Sequence, residues 1–394
     1  MANLNIISFS LKLILLFNIF PLSTKAATYS VLKYGAKPNG RTDSTKAFSR
    51  AWSLACQSKK PATMWIPKGT YLVKTIVFNG PCRSKRVTVQ IDGTIVAPPK
   101  NIWVIGNTRN WILFHGINGL TINGGVLDAR GSHFWDCRRS GGRCPEGADS
   151  LSIDNVKNGV ISGLTSINSQ QSHISINGCN KMLIQRVTIT APRQSPNTDG
   201  IDLQASTGVT IIDSTIETGD DCIAIGPGTK KLLVQRVKCG PGHGISIGSL
   251  ARNQNEAGVQ GIVVKDVTFD GSDNGVRIKT WARPSNGFVK NVLYQNIVMN
   301  SVRNPIIIDQ TYCPSDKGCP NQNSGIKISG VTYLNVHGTS RSPIAVSLRC
   351  SPTTPCTGIK LYNVKLNYSK KPAKSFCYSA AGTSRGQVLP GSCF

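Results

Sequence analysis

The sequence predicts an all-β, single-domain right-handed parallel β-helix with a short N-terminal capping helix. Three observations carry that expectation. A short apolar–polar phrase recurs at intervals of 22 to 34 residues, and each copy is followed by a second short strand with period-2 alternation. Gly, Asn and Asp separate these β-branched runs, so each repeat reads as one coil stacked on the last.

The phrase reads apolar, any, apolar, two polar, Val-like, any, apolar. Its copies are MLIQRVTI at 182–189, LLVQRVKC at 232–239, IVVKDVTF at 262–269, VLYQNIVM at 292–299, IKISGVTY at 326–333 and IKLYNVKL at 359–366, with a looser copy at 158–167. The Val-like position places Leu164, Val187, Thr215, Val237, Val267, Ile297, Val331 and Val364 in one column. The second strands centre on Ile174, Ile201, Ile223, Ile245, Val276, Ile306 and Ile344. Leucine-rich repeats lack support because their Leu/Asn pattern is absent. A β-sandwich would give turn signals without this internal similarity. The only helical period is the amphipathic stretch Asp43–Cys56, expected to cover the open first coil, whose strand edges would otherwise be exposed.

Composition sets the compartment. The 394 residues carry 45 Lys+Arg against 19 Asp+Glu, a formal net charge of +26, and hydrophobic content of 39% is too high for a disordered basic chain. Thirteen Cys point to an oxidising environment. Leu11–Leu22 followed by Ser23-Thr24-Lys25-Ala26-Ala27 reads as a signal peptide cleaved after Ala26. The apolar run is shorter than the ~20 residues a membrane span needs. Residues 1–26 are therefore assigned to a signal peptide and 27–394 to one β-helix domain of a secreted, extracellular protein. Acidic extracellular polymers become the candidate partners; nucleic acid and, after cleavage, membrane do not. A monomer is expected.

The site is read from the register. Two residues before each second strand lie Ser172, Asp199, Asp221, His243, Asn274, Asn304 and Ser342, and Asp199, Asp221 and His243 are spaced by 22 residues each time. Stacked coils put such positions about 4.8 Å apart, so two carboxylates and an imidazole form a ladder, with Asp220 beside it. Strict alternation would turn this column inward, so the residue before each strand (Gly200, Cys222, Gly244, Gly275, Pro305) must bend the chain. Small residues at Ala224, Gly226, Ser246 and Gly248 leave a trough, and the next coil brings Arg277 and Lys279. Crowded acids raise at least one pKa, giving a proton donor near neutral pH. Turn formation by isolated Asp residues is the bland alternative. A Ca²⁺ site is another, but it would call for more oxygen ligands and no adjacent cations.

Asn197-Thr198-Asp199-Gly200, Gly219-Asp220-Asp221-Cys222, Gly242-His243-Gly244 and Arg277-Ile278-Lys279, in that order and followed by Tyr312, resemble the polygalacturonases. These are pectin-hydrolysing glycoside hydrolases, and the chain looks like a plant member across essentially its whole mature length. The segment at 29–48, YSVLKYGAKPNGRTDSTKAF, resembles the family's N-terminal segment. It begins directly after the cleavage site, leaving no room for a propeptide, as in the pollen-type branch with exo-acting members. The resemblance implies hydrolysis of α-1,4-linked galacturonan with inversion, Asp220 as general acid, and Asp199 and Asp221 activating water. His243 would tune the acid, and Arg277, Lys279, Tyr312 and Asn197 would contact substrate, Arg277 in bidentate fashion. No metal or other cofactor is required. Inverting enzymes hold their carboxyls about 6.5–9.5 Å apart, and the ladder is expected to match. The motifs leave endo and exo action open. A hydrolase of rhamnogalacturonan or xylogalacturonan and a catalytically silent wall-binding protein are the competing functions.

The cysteines suggest Cys137–Cys144, Cys313–Cys319, Cys350–Cys356 and Cys377–Cys393 as short-range pairs, and Cys56–Cys82 as a tie from the capping helix. Cys222–Cys239 resembles a bridge of the family. Cys179 is left free and buried. The only glycosylation sequon is Asn367-Tyr368-Ser369.

Overall fold

The computed structural model describes residues 26–98, 109–141, 143–144, 147–314, 317–369 and 371–394. The expected signal peptide lies outside them except for Ala26. Among the described residues the chain winds as a parallel β-helix built from a sheet of 20 strands and a sheet of 11. Each central coil makes three passes, as in Asn180–Gln185, Thr188–Thr190 and Ile201–Gln204.

The repeat phrase has a physical cause. Its second polar residue turns the chain in the left-handed region at Arg186, Asp213, Arg236, Asp266, Asn296, Asn335 and Asn363. Asn and Asp tolerate that conformation better than other non-glycine residues. Their side chains then bond from coil to coil: Asn296 Nδ2 donates to Asp266 Oδ1 at 2.9 Å, Asn335 to Asn296 at 3.1 Å, and Asn363 to Asn335 at 3.2 Å. This ladder corrects two column members. Val237 pairs with Ser214 rather than Thr215, and Ile297 pairs with Val336, leaving Val331 opposite Val292. The apolar pattern of 326–333 matches the phrase in the earlier of the strand's two segments, which is why sequence alone misplaced it.

Inside, like stacks on like. Ile176, Leu203, Ile225, Ile247, Ile278, Ile308 and Leu348 are fully buried in one column of the 11-stranded sheet. Tyr294 and Tyr333 stack with centroids 5.2 Å apart in the other sheet. Each large buried aliphatic side chain contributes on the order of 1.5–3 kcal/mol, so the stack supplies a continuous core along the coil axis.

The capping helix spans Thr45–Gln57 and buries Phe48, Ala51, Trp52 and Ala55 against the first coils. Trp52 lies 5.2 Å from Phe78 and 5.4 Å from Phe114. A second helix, Ser132–Arg139, was not anticipated; it leaves a coil turn and buries Phe134 and Trp135 outside the main core. Its eight residues are too few for a clear period in sequence. All six expected disulfides are present, and Cys179 is free and buried. No helix of the described residues is long and apolar enough to cross a membrane.

Candidate active site

The ladder of acids and imidazole sits on the 11-stranded sheet, where strands Ile201–Gln204, Ile223–Ile225, Ile245–Leu250 and Asn274–Thr280 lie side by side. Ile201, Ile223, Ile245 and Val276 pair in register, so Asp199, Asp221, His243 and Asn274 fall in one column. The column ends before Ser342, because Ile306 pairs with Val346 and Ile344 takes the equivalent place. Glycine makes the close stacking possible. A Cβ on Gly219 would come within 2.0 Å of the Ser195 carbonyl, and one on Gly244, at φ +83°, within 2.1 Å of the Asn274 carbonyl.

The ladder residues differ sharply in environment. Asp221 is 1% exposed and fully engaged: its Oδ1 accepts from Ser246 Oγ at 2.8 Å and from Arg277 Nη2 at 2.6 Å, and its Oδ2 from Lys279 Nζ at 2.7 Å. Burial works against its charge, but Lys279 and then Arg277 outweigh it and hold the carboxyl at a pKa of about 2. Asp199 has no such partner. Burial raises its pKa well above the ordinary carboxylate value, and the charges of Asp220, Asp221 and Asp202 add to the rise. Asp220 is joined to the imidazole: His243 Nδ1 lies 2.8 Å from its Oδ1, which also accepts the Asp221 backbone N–H at 2.8 Å. Burial opposes a charged His243, but the hydrogen bond and charge of Asp220 prevail and its pKa rises. Both of these contacts fall on Asp220 Oδ1.

Arg277 and Lys279 are not the free groove cations expected from sequence. They are 8% and 7% exposed and bound to Asp221, and Arg277 Nε also donates to Ser246 Oγ at 2.8 Å. The guanidinium fork is therefore already used on the protein side. Alternation alone places these residues on the right face but cannot show that a buried carboxylate has claimed them. Tyr312 stands over both, with Lys279 Nζ 5.2 Å and Arg277 Cζ 5.9 Å from its ring. Asn197 is exposed on the loop ahead of Asp199, at φ +56°.

The sequence reading missed four contributors. Asp202 is the next outward position after Asp199, pairing with Ser175 and Ala224, and burial followed by Asp221 pushes its pKa to about 6. Asp149, one hydrogen bond from Ser172 N, is pushed to about 7 by burial and then by Asp202. Asp273 lies 3.8 Å from His243 Nε2 and pairs with Arg193 and Arg341 at 3.2 and 3.1 Å. Trp281 packs against Tyr312 with centroids 5.7 Å apart. Only Asp202 carried a sequence signal, its place between the inward Ile201 and Leu203, three residues beyond Asp199.

Asp220, Asp221 and His243 place one potential ligand atom each within 4.8 Å of one another. That donor set is committed elsewhere, since both Asp221 oxygens face Ser246 and two cations and His243 Nδ1 faces Asp220.

The profile of glycosyl hydrolases family 28 matches residues 56–383. The chain belongs to that family. It is a glycoside hydrolase, and it resembles plant polygalacturonases along nearly its whole length. A polygalacturonase of Prunus persica is 52% identical, covering 98% of each chain. An exopolygalacturonase of Platanus acerifolia is 40% identical over 94% of this chain and 98% of its own. Among solved structures, the endo-xylogalacturonan hydrolase of Aspergillus tubingensis shares the fold at TM-score 0.76 and 22% identity, covering 92% of this chain and 100% of its own.

Proposed function

We propose that this glycoside hydrolase is a secreted, monomeric polygalacturonase that cleaves α-1,4-galacturonosyl linkages of pectin in the plant cell wall, with inversion at the anomeric carbon. The observation that carries this reading is the division of labour among three acids. One is ionised and pinned, one is raised by burial, and one is hydrogen-bonded to an imidazole. Relatives named polygalacturonase and exopolygalacturonase, at 52% and 40% identity, support the choice of substrate.

Asp220 gives its proton to the glycosidic oxygen as the bond from that oxygen to C1 breaks. His243 orients the carboxyl through Oδ1, leaving Oδ2 toward the leaving group. Water attacks C1 from the opposite face and passes a proton to Asp199. Raised basicity makes Asp199, once ionised, the stronger base of the pair, while Asp221 remains a fixed negative charge beside the oxocarbenium-like centre. Asp221 is not placed to act as a nucleophile, since it is 1% exposed and both its oxygens are occupied.

Arg277 and Lys279 act chiefly through Asp221, and their remaining N–H groups, with the Tyr312 ring, are available to a substrate carboxylate. Reducing-end release from polygalacturonate, with none from rhamnogalacturonan or xylogalacturonan, is the expected result. Release from a branched polymer alone would refute the substrate assignment. Viscosity loss relative to reducing-end release separates endo from exo cleavage.

A further inference from the structure

The face that carries the catalytic ladder continues for three more coils. Arg277 is followed at successive rungs by Ile307, Ser347 and Phe376, and Lys279 by Asp309, Arg349 and Tyr378. At about 4.8 Å per rung the last pair lies about 14 Å beyond the two cations, in line with them. Its character is unusual for this chain. Phe376 and Tyr378 are 39% and 54% exposed, whereas nearly all other large apolar side chains are buried. They do not face the core, since the intervening Cys377 pairs with the buried Leu348 and turns to the interior side.

Arg349 lies over Phe376, its Cζ 5.3 Å from the ring centroid. These three side chains, with Gln310 and Thr311, border a cavity of about 410 Å³. The nearest acid on the column, Asp309, is occupied by Thr311, whose backbone N–H and hydroxyl donate to its Oδ1 at 2.9 and 2.8 Å.

We propose that Phe376, Tyr378 and Arg349 form a remote subsite for a uronosyl residue of the polymer, three rungs beyond Arg277 and Lys279. The aromatic faces would take the apolar face of a sugar ring, and the guanidinium its carboxylate. An uncharged glycan would gain nothing from Arg349, and a free monosaccharide could not span the distance. The inference rests on the reading of the substrate as polygalacturonate and adds a dependence on chain length.

The test compares kcat/KM on polygalacturonate and on trigalacturonate, whose cleavage leaves at most two residues beyond the rung. Wild type is expected to prefer the polymer, and Tyr378→Ala to reduce that preference roughly tenfold, the effect of losing one aromatic anchor. Arg349→Gln should reduce it several-fold, and less so in high salt, where screening already weakens the ion pair. Arg349→Gln also serves if Tyr378→Ala fails to fold. An unchanged polymer-to-trimer ratio in a folded variant overturns the subsite, as does an equal loss on both substrates. Wild-type hydrolysis of both without length preference overturns the subsite alone. No hydrolysis of either overturns the substrate reading with it.

Discussion

Lys279→Met is the most informative single change outside the acids proposed to transfer protons. It keeps the length of the side chain and removes one of two cations from Asp221, a carboxylate 1% exposed with Lys279 Nζ 2.7 Å from its Oδ2. Arg277 and Ser246 remain on Oδ1, so the charge is left half-compensated. Breaking a buried pair by removing one partner typically costs about 3–5 kcal/mol. With an unfolding entropy of about 2.1 cal/mol/K per residue over this chain length, that is a fall in Tm of about 4–6 °C.

The pH signature has a definite sign. Asp221 is depressed to about 2 from 3.8, so its contribution is present above pH 3.8 and lost as pH falls through about 2. With the folded pKa moved up toward 3.8, the variant loses stability above pH 3.8, and its difference from wild type shrinks in stronger acid. Thermal unfolding at pH 3 and pH 6, alongside kcat/KM, checks both parts. Native-like stability at pH 6 with only KM raised would refute the buried triad. It would return Lys279 to the role of a free substrate contact.

Three further outcomes follow from the same geometry. His173 is fully buried, bonded through Nδ1 to Ser166 at 2.9 Å, and burial lowers its pKa to about 3 from 6.5. A histidine held neutral in the fold favours the unfolded state as pH falls from 6.5 to about 3, by at most about 5 kcal/mol. His173→Gln should flatten that part of the acid-unfolding profile, and an unchanged slope would count against a neutral buried ring. The double variant Cys56→Ser/Cys82→Ser opens a loop with a sequence separation of 26 and should lower stability by about 3.5 kcal/mol in denaturant titration. A loss below 1 kcal/mol would show that the capping helix is held by packing alone. Burial raises the Cys179 thiol to about 11, so it should resist alkylation at neutral pH in the native protein and react after unfolding. Rapid native labelling would place it at the surface.

Legibility in the sequence followed the reach of each signal. The solenoid and the coil register at Ile201, Ile223 and Ile245 were readable because identical positions recur at near-constant spacing, and the cysteine pairs through closeness in sequence or, for Cys222–Cys239, through the family resemblance. Repetition ceased to help where copies changed length, which is why Thr215, Val331 and Ser342 were put in columns that belong to Ser214, Val336 and Ile344. Within the site, residue types and face were legible, but pairing was not. Arg277 and Lys279 looked like open cations, and only three-dimensional packing gives them to Asp221. Asp149, Asp273 and Trp281 come from turns and strand ends of other coils, so no spacing rule leads to them.

The central claim is that Asp220 protonates the leaving group while water, not Asp221, attacks the anomeric carbon. Time-resolved NMR of the first galacturonide released from polygalacturonate tests it directly, on wild type and on Asp220→Asn. The account predicts the β-anomer as the initial wild-type product and a fall in kcat of at least ~10² in the variant with binding preserved. An initial α-anomer, or near-wild-type turnover by Asp220→Asn, would contradict it.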